Sequence, residues 1–247
     1  MAILVTRPQP DNDATAAALR ALGHDVLAAP MLRFERVMLN LDASAQVDAV
    51  IVTSASALRA LAEQPALPDL LRLPLFAVGD RTAQAARDAG FTQVVSAKGD
   101  AGALRDALVK RAKKHGLKDG ATLLYLAGAD LARDLAGELG AHGYHVVTQT
   151  TYRMAPVVGL PDDVVAAFAA GTIDAVLHYS RRSARAFFQA AGHDGVEISA
   201  LALPHCCLSE AVGAVARDAG ATQVIAAATP DEASLFATLA RVKPVSR

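Results

Sequence analysis

Two half-size α/β units, each a parallel sheet with helices on both faces, are what this sequence predicts, and three observations predict them. Short apolar runs alternate with alanine-rich helical stretches from residue 3 to residue 239. One ten-residue segment recurs with eight identities, ARDAGFTQVV at 86–95 and ARDAGATQVI at 216–225. The stretches after the apolar runs are short, small and polar, as strand-to-helix turns are. A strand buried on both faces reads as a continuous apolar run, and strands that alternate with helices join into a parallel sheet.

The elements follow in order. Residues 3–6 read as a strand, 13–22 as a helix stopped by Gly23, and 26–29 as a strand ahead of Pro30, which together make a βαβ unit. Next come a buried strand at 49–53, a helix at 56–63, a strand at 75–78, a helix at 82–89 stopped by Gly90, a strand at 94–96 and a helix at 102–115. The alternation restarts with strand 123–127, helix 131–142 and strand 146–151. Strand 175–179, helix 183–191, strand 206–208, helix 211–219, strand 223–226 and helix 231–239 complete it.

The repeat extends beyond its strongest segment. Val47-Asp48-Ala49-Val50 matches Ile173-Asp174-Ala175-Val176, and each is followed by a serine-containing loop. More weakly, Leu19, Gly23, Val26 and Arg33 align with Leu139, Gly143, Val146 and Arg153. Each unit therefore needs a leading βαβ piece and a trailing run of strands and helices. Spacing leaves two pairings open: a tandem divided near 118–120, or an exchange in which the chain crosses after 31–36 and returns at 152–156.

Composition narrows the function. With 24 basic and 25 acidic residues the net charge is -1, so no global field recruits nucleic acid or an anionic membrane, and an anionic ligand must be held by local groups. Trp is absent and aromatics make up 4%, too few for a base-stacking surface. Cys206 and Cys207 are adjacent in an apolar run, which suits reduced thiols, and no metal-ligand spacing accompanies them. No leader-like segment precedes residue 3 and no apolar run approaches a bilayer span, so a cytoplasmic protein with no membrane partner is expected.

In parallel α/β sheets ligands collect outside the carboxyl ends of the strands, which directs attention to the strand-to-helix junctions. They carry Arg7; Thr53, Ser54 and Ser56; Gly79, Arg81 and Thr82; Gly128; Ser180, Arg181, Arg182 and Ser183; and Ser209. Helix capping alone accounts for each hydroxyl taken singly. Together, junctions from two facing units make a cleft rich in N–H, hydroxyl and guanidinium donors, suited to a polyanion. Reactive constellations are missing: no phosphate-binding glycine loop, nucleophile elbow or His-Glu-x-x-His occurs, and the histidines are scattered at 24, 115, 142, 145, 178, 193 and 205. His178 reads as packed inside a strand, and Asp48 and Asp174 as turn caps.

The order of these motifs is similar to that of the uroporphyrinogen-III synthase family over nearly the whole chain. The matching pieces are Ile-Leu-Val-Thr-Arg-Pro at 3–8, Ile-Val-Thr-Ser-Ala-Ser-Ala at 51–57, Ala-Val-Gly-Asp-Arg-Thr-Ala at 77–83, Thr-Tyr-Arg at 151–153, Tyr-Ser-Arg-Arg-Ser at 179–183 and Leu-Ser-Glu at 208–210. The resemblance implies two flavodoxin-like domains in the exchanged arrangement: 1–34 plus 157–247, and 38–152, joined by extended crossings at 35–37 and 153–156. It also implies a reaction: the linear tetrapyrrole hydroxymethylbilane loses water, its ring D is inverted through a spiro intermediate, and uroporphyrinogen III closes. Tyr152 matches the tyrosine proposed to donate to the departing hydroxyl, with Thr82, Ser54 and Ser180 as substrate contacts. No cofactor, a monomer, a transient contact with hydroxymethylbilane synthase and closure about the two crossings complete the expectation. A two-lobed α/β tetrapyrrole-binding or sensor module without turnover shares these features, and turnover separates the two readings.

Overall fold

The computed structural model describes residues 1–41, 46–111, 117–131 and 133–242. Its strands are β1 (Ala2–Val5), β2 (Asp25–Ala28), β3 (Leu32–Arg36), β4 (Ala49–Val52), β5 (Leu75–Ala77), β6 (Val94–Ser96), β7 (Thr122–Gly128), β8 (His145–Pro156), β9 (Ala175–His178), β10 (Pro204–Cys207) and β11 (Gln223–Ala226). Its helices are α1 (Asp11–Ala21), α2 (Ala55–Leu61), α3 (Leu67–Leu70), α4 (Asp80–Asp88), α5 (Ala101–Arg111), α6 (Leu135–Gly140), α7 (Asp162–Ala169), α8 (Arg181–His193), α9 (Glu197–Ala202), α10 (Glu210–Asp218) and α11 (Glu232–Ala237). The chain divides into a first unit, Met1–Phe34 with Ala155–Arg247, and a second, Glu35–Met154.

The first unit holds a five-stranded sheet in the order β11-β10-β9-β1-β2, and the second a six-stranded sheet in the order β3-β8-β7-β4-β5-β6. The first sheet and the run from β8 to β6 in the second are parallel throughout, with Leu4 opposite Val176 and Leu124 opposite Val50. Counted from its βαβ piece, each unit has the flavodoxin order 2-1-3-4-5. The first unit starts on that piece, whereas the second starts on β4 and reaches its βαβ piece, β7-α6-β8, last. Every residue of β4, β9 and β10 is buried, because helices cover both faces of these central strands.

The repeat is visible atom by atom. In both copies of the ten-residue segment a buried alanine ends a helix turn, with Phe91 N–H donating to Ala86 O at 3.1 Å and Ala221 N–H to Ala216 O at 3.0 Å. Gly90 and Gly220 stop those helices at the same φ of +102°, a left-handed conformation that L side chains avoid. Asp48 accepts from Thr122 N–H at 2.8 Å and Asp174 from Ala2 N–H at 2.7 Å, so each carboxylate clips the start of the neighbouring strand.

Where structure and sequence reading differ, local chemistry gives the reason. The helix expected at 131–142 is only α6, because Asp134 caps it by accepting from Gly137 N–H at 2.9 Å. The helix expected to 115 is α5, and 112–116 lie outside the described residues. The strand expected at 146–151 continues to Pro156, beside the unforeseen β3. Val37 N–H donates to Thr151 O at 2.8 Å, Val157 N–H to Met31 O at 3.1 Å, and Arg153 pairs with Glu35 at 2.6 Å. Helices α3, α7 and α9 also went unforeseen; α7 buries Val164 and Phe168 after the acidic first turn Asp162-Asp163.

Candidate functional site at the carboxyl ends of the strands

In the second unit, Thr53 follows β4 and its Oγ1 lies 3.0 Å from the phenol oxygen of Tyr125. Ser54 is the N-cap of α2 and accepts from Ser56 N–H at 3.1 Å, so its oxygen serves the helix end first. Gly79 is the N-cap of α4 in extended conformation with no side chain to cap it, which leaves the first-turn N–H groups of that helix to other acceptors. Arg81 is exposed on that turn, and Thr82 is buried beneath it at 6% exposure.

Gly128 and Tyr152 form the closest-packed point of this edge. The β7–β8 register shifts between Ala127 and Gly128, which brings Gly128 opposite Tyr152. A Cβ at Gly128 would fall 2.7 Å from Cζ of Tyr152 and 2.9 Å from its hydroxyl oxygen, so the ring occupies the space that only glycine leaves. The bulge is pinned by Thr151 Oγ1 donating to Ala127 O at 3.0 Å and by Ala129 N–H donating to Tyr152 O at 2.9 Å. Tyr152 is half-buried, with its ring against the cluster that contains Val50, Val52 and Leu126.

In the first unit Arg7 is held by the protein itself. It donates to Thr15 Oγ1 and to Glu232 at 3.2 Å each, pairs with Asp11 at 3.2 Å, and stacks 4.5 Å over the ring of Tyr179. Thr15 and Tyr179 donate to the same Glu232 oxygen at 2.7 and 2.6 Å. Burial first, and then Glu232, push the Tyr179 phenol above its ordinary range. Ser180 caps α8 by accepting from Ser183 N–H at 3.1 Å and donates to Ser183 Oγ at 3.0 Å, with Ser183 fully buried. Arg181 is exposed on the first turn of α8. Ser209 is the N-cap of α10 and, like its repeat mate Gly79, makes no side-chain cap bond.

Below these junctions His178 and His205 are fully buried, with His178 Nε2 3.0 Å from His205 Nδ1. His205 Nε2 donates to Ala200 O at 3.0 Å, which makes its Nδ1 the acceptor and His178 Nε2–H the donor. The remaining His178 Nδ1 lies 3.1 Å from Thr6 Oγ1. Burial pushes His205 down to about 4, and burial with the neighbouring His205 pushes His178 well below its ordinary value. Cys207 is pushed up to about 12 by burial, which leaves it an inert thiol. Among the described residues no group of three His, Cys, Asp or Glu side chains is placed to hold a metal ion, and no helix is long and apolar enough to cross a membrane.

Sequence reasoning missed Tyr125, Thr15 and Glu232. Tyr125 carried a faint signal, the one hydroxyl in the run Leu-Leu-Tyr-Leu-Ala at 123–127. Glu232 meets Arg7 from the far end of the chain, which no spacing reveals.

The fold and these strand ends define a two-unit parallel α/β protein whose junctions carry hydroxyls, helix N–H groups and the half-buried phenols of Tyr152 and Tyr179. The model of the uroporphyrinogen-III synthase HemD family matches residues 13–237, and the chain belongs to that family, cyclising lyases of tetrapyrrole and haem biosynthesis. A crystal structure of uroporphyrinogen-III synthetase from Helicobacter pylori has a TM-score of 0.62 at 17% identity, covering 98% of this chain and 99% of that one. A mutant uroporphyrinogen III synthase from the extremely thermophilic bacterium Thermus thermophilus has a TM-score of 0.51 at 16% identity, covering 98% of each chain. At these identities the two likenesses speak to the fold. No curated protein matches the sequence directly.

Proposed function

We propose that this chain cyclises hydroxymethylbilane to uroporphyrinogen III and that Tyr152 donates to the departing hydroxyl. The observation that supports the tyrosine is its seat: the ring lies against Gly128 at the carboxyl end of the sheet, with its position set by a strand bulge. The phenol proton assists C–O cleavage and the oxygen leaves as water. The electron-rich pyrroles stabilise the cation formed, and ring D attacks it through its substituted carbon. The spiro intermediate then rearranges and the macrocycle closes; the proton lost as the last pyrrole regains aromaticity balances the one delivered with the leaving oxygen. The substrate supplies the driving force, so the protein's contribution is orientation. Its carboxylates are acceptors, and the groups we assign to them are the hydroxyls and N–H donors at Thr53, Ser54, Ser56, Gly79, Thr82, Ser180 and Ser209, with Arg81 and Arg181, while Ser183, fully buried and bonded to Ser180, supports that cap from beneath. Arg7 is assigned a lesser share, because its donors already serve Glu232, Thr15 and Asp11.

The proposal extends to domains at 1–34 plus 157–247 and at 38–152, and to a cytoplasmic monomer that takes its substrate in transient contact with hydroxymethylbilane synthase. The deciding experiment is the ratio of uroporphyrinogen isomers formed from freshly generated hydroxymethylbilane with and without the protein. A shift from isomer I to isomer III is the expected result. Isomer I alone, with uroporphyrinogen still bound, would replace the enzyme by a tetrapyrrole-binding module.

A further inference from the structure

We infer that Tyr125 is a positioning residue for the substrate: its buried phenol donates to Thr53 Oγ1 and thereby presents the Thr53 hydroxyl proton to a substrate carboxylate. The inference rests on the synthase reading above and deepens it.

The geometry begins in the sheet register. Tyr125 on β7 lies opposite Ile51 on β4, and Thr53 stands two residues beyond Ile51, so Thr53 is on the same side of the sheet and one step nearer the carboxyl edge. The Tyr125 ring is packed among Ile51, Phe76, Leu104 and Leu123 at 5% exposure, and its oxygen reaches Thr53 at 3.0 Å. A phenol buried to this extent needs a partner. Of the two hydroxyls the phenol is the stronger acid and donates, which leaves Thr53 one proton, and a carboxylate can only accept.

The repeat supplies an independent observation. Thr53 and Tyr179 each precede the capping serine of the following helix, Ser54 and Ser180, and so hold the same place in the two units. At that place in the first unit the hydroxyl proton is donated to a carboxylate of the protein, Tyr179 to Glu232 at 2.6 Å. A hydroxyl at this strand end thus already meets a carboxylate in one copy. In the other copy Ala101 follows the helix cap Asp100, where Glu232 follows the cap Asp231, so the fold provides no glutamate there and the acceptor comes from the ligand.

The test is Tyr125→Phe, which keeps the ring and removes the oxygen. KM for hydroxymethylbilane should rise about 3- to 10-fold, the effect of one hydrogen bond, with kcat and the isomer ratio nearly unchanged. Thr53→Val should reproduce the effect, Thr53→Ser should retain wild-type values, and the double variant should be no worse than either single one. A wild-type KM in Tyr125→Phe, or effects that add in the double variant, would overturn the inference. The Kd for uroporphyrinogen III, measured on the same proteins, reads the same contact without turnover. A wild type that makes no isomer III therefore sinks the synthase reading, while a Kd unmoved by Thr53→Val sinks this one.

Discussion

The two units share a strand order, a helix-stop geometry and a set of caps, yet they treat their strand ends in opposite ways. In the first, Arg7, Thr15, Tyr179 and Glu232 are bonded to one another, with Asp11 joined through Arg7, and Val212 fills the place that Thr82 occupies in the second. In the second, neutral hydroxyls meet neutral hydroxyls at Thr53 and Tyr125, and a half-buried phenol leans on a glycine. A duplicated scaffold can thus tie the same strand-end hydroxyl position to a carboxylate of its own in one copy and to a second hydroxyl in the other.

The largest effect expected from that division is on turnover through the second unit. Tyr152→Phe should lower the rate of isomer III formation by about 100-fold, in the range of a lost proton donor, with thermal unfolding unchanged. An equal loss from Tyr179→Phe would break the comparison.

Acid should divide the units next. His205 has a folded value near 4 against an ordinary 6.5, and His178 is displaced in the same direction. Between those values the unfolded chain binds a proton that the folded chain refuses, so stability is intact above pH 6.5 and falls as pH falls through the window, by up to about 1.4 kcal/mol per pH unit for each histidine. The second unit's described histidines, His142 and His145, are exposed. Hydrogen exchange at pH 7 and pH 5 should therefore show protection falling in β9 and β10 while β4 and β5 keep theirs; a uniform fall would remove the distinction.

Gly128→Val sharpens the picture inside the second unit. The new side chain must displace the Tyr152 ring, so the rate should drop about tenfold, with no further drop when Tyr152 is already Phe. Smallest is Glu232→Gln in the first unit. The Glu232 side chain is itself 42% exposed, so the stability lost in urea titration should be under about 1 kcal/mol, with the isomer ratio untouched.

Much of the fold was legible because buried parallel strands are short apolar runs, and the repeated segment gave the helix-stop-strand unit in both copies. Strand β3 was not, because Leu-Arg-Phe-Glu-Arg alternates apolar and charged residues and reads as a polar crossing until β8 lies beside it. Helix α7 had a start signal in Pro161-Asp162-Asp163, but it is short and its remaining residues, Val164 to Ala169, form one apolar run without helical alternation. The junction residues could be located from sequence, since each follows a strand. Their commitments could not: Arg7 is tied to Glu232 and Thr53 to Tyr125 by contacts that only the sheet register creates.

The shifted order of the strands bears on the birth of the chain. The second unit is one uninterrupted segment, 35–154, and its sheet can close as soon as that segment has left the ribosome. Strand β1 emerges first, yet its inner neighbour is β9, with Ile3 paired to Ala175, so the opening βαβ piece must wait with one edge unsatisfied until most of the chain has been synthesised. Nascent-chain length, more than thermodynamic stability, decides when that edge is covered, and the interval is when the opening piece is most exposed to chaperones and to other nascent chains.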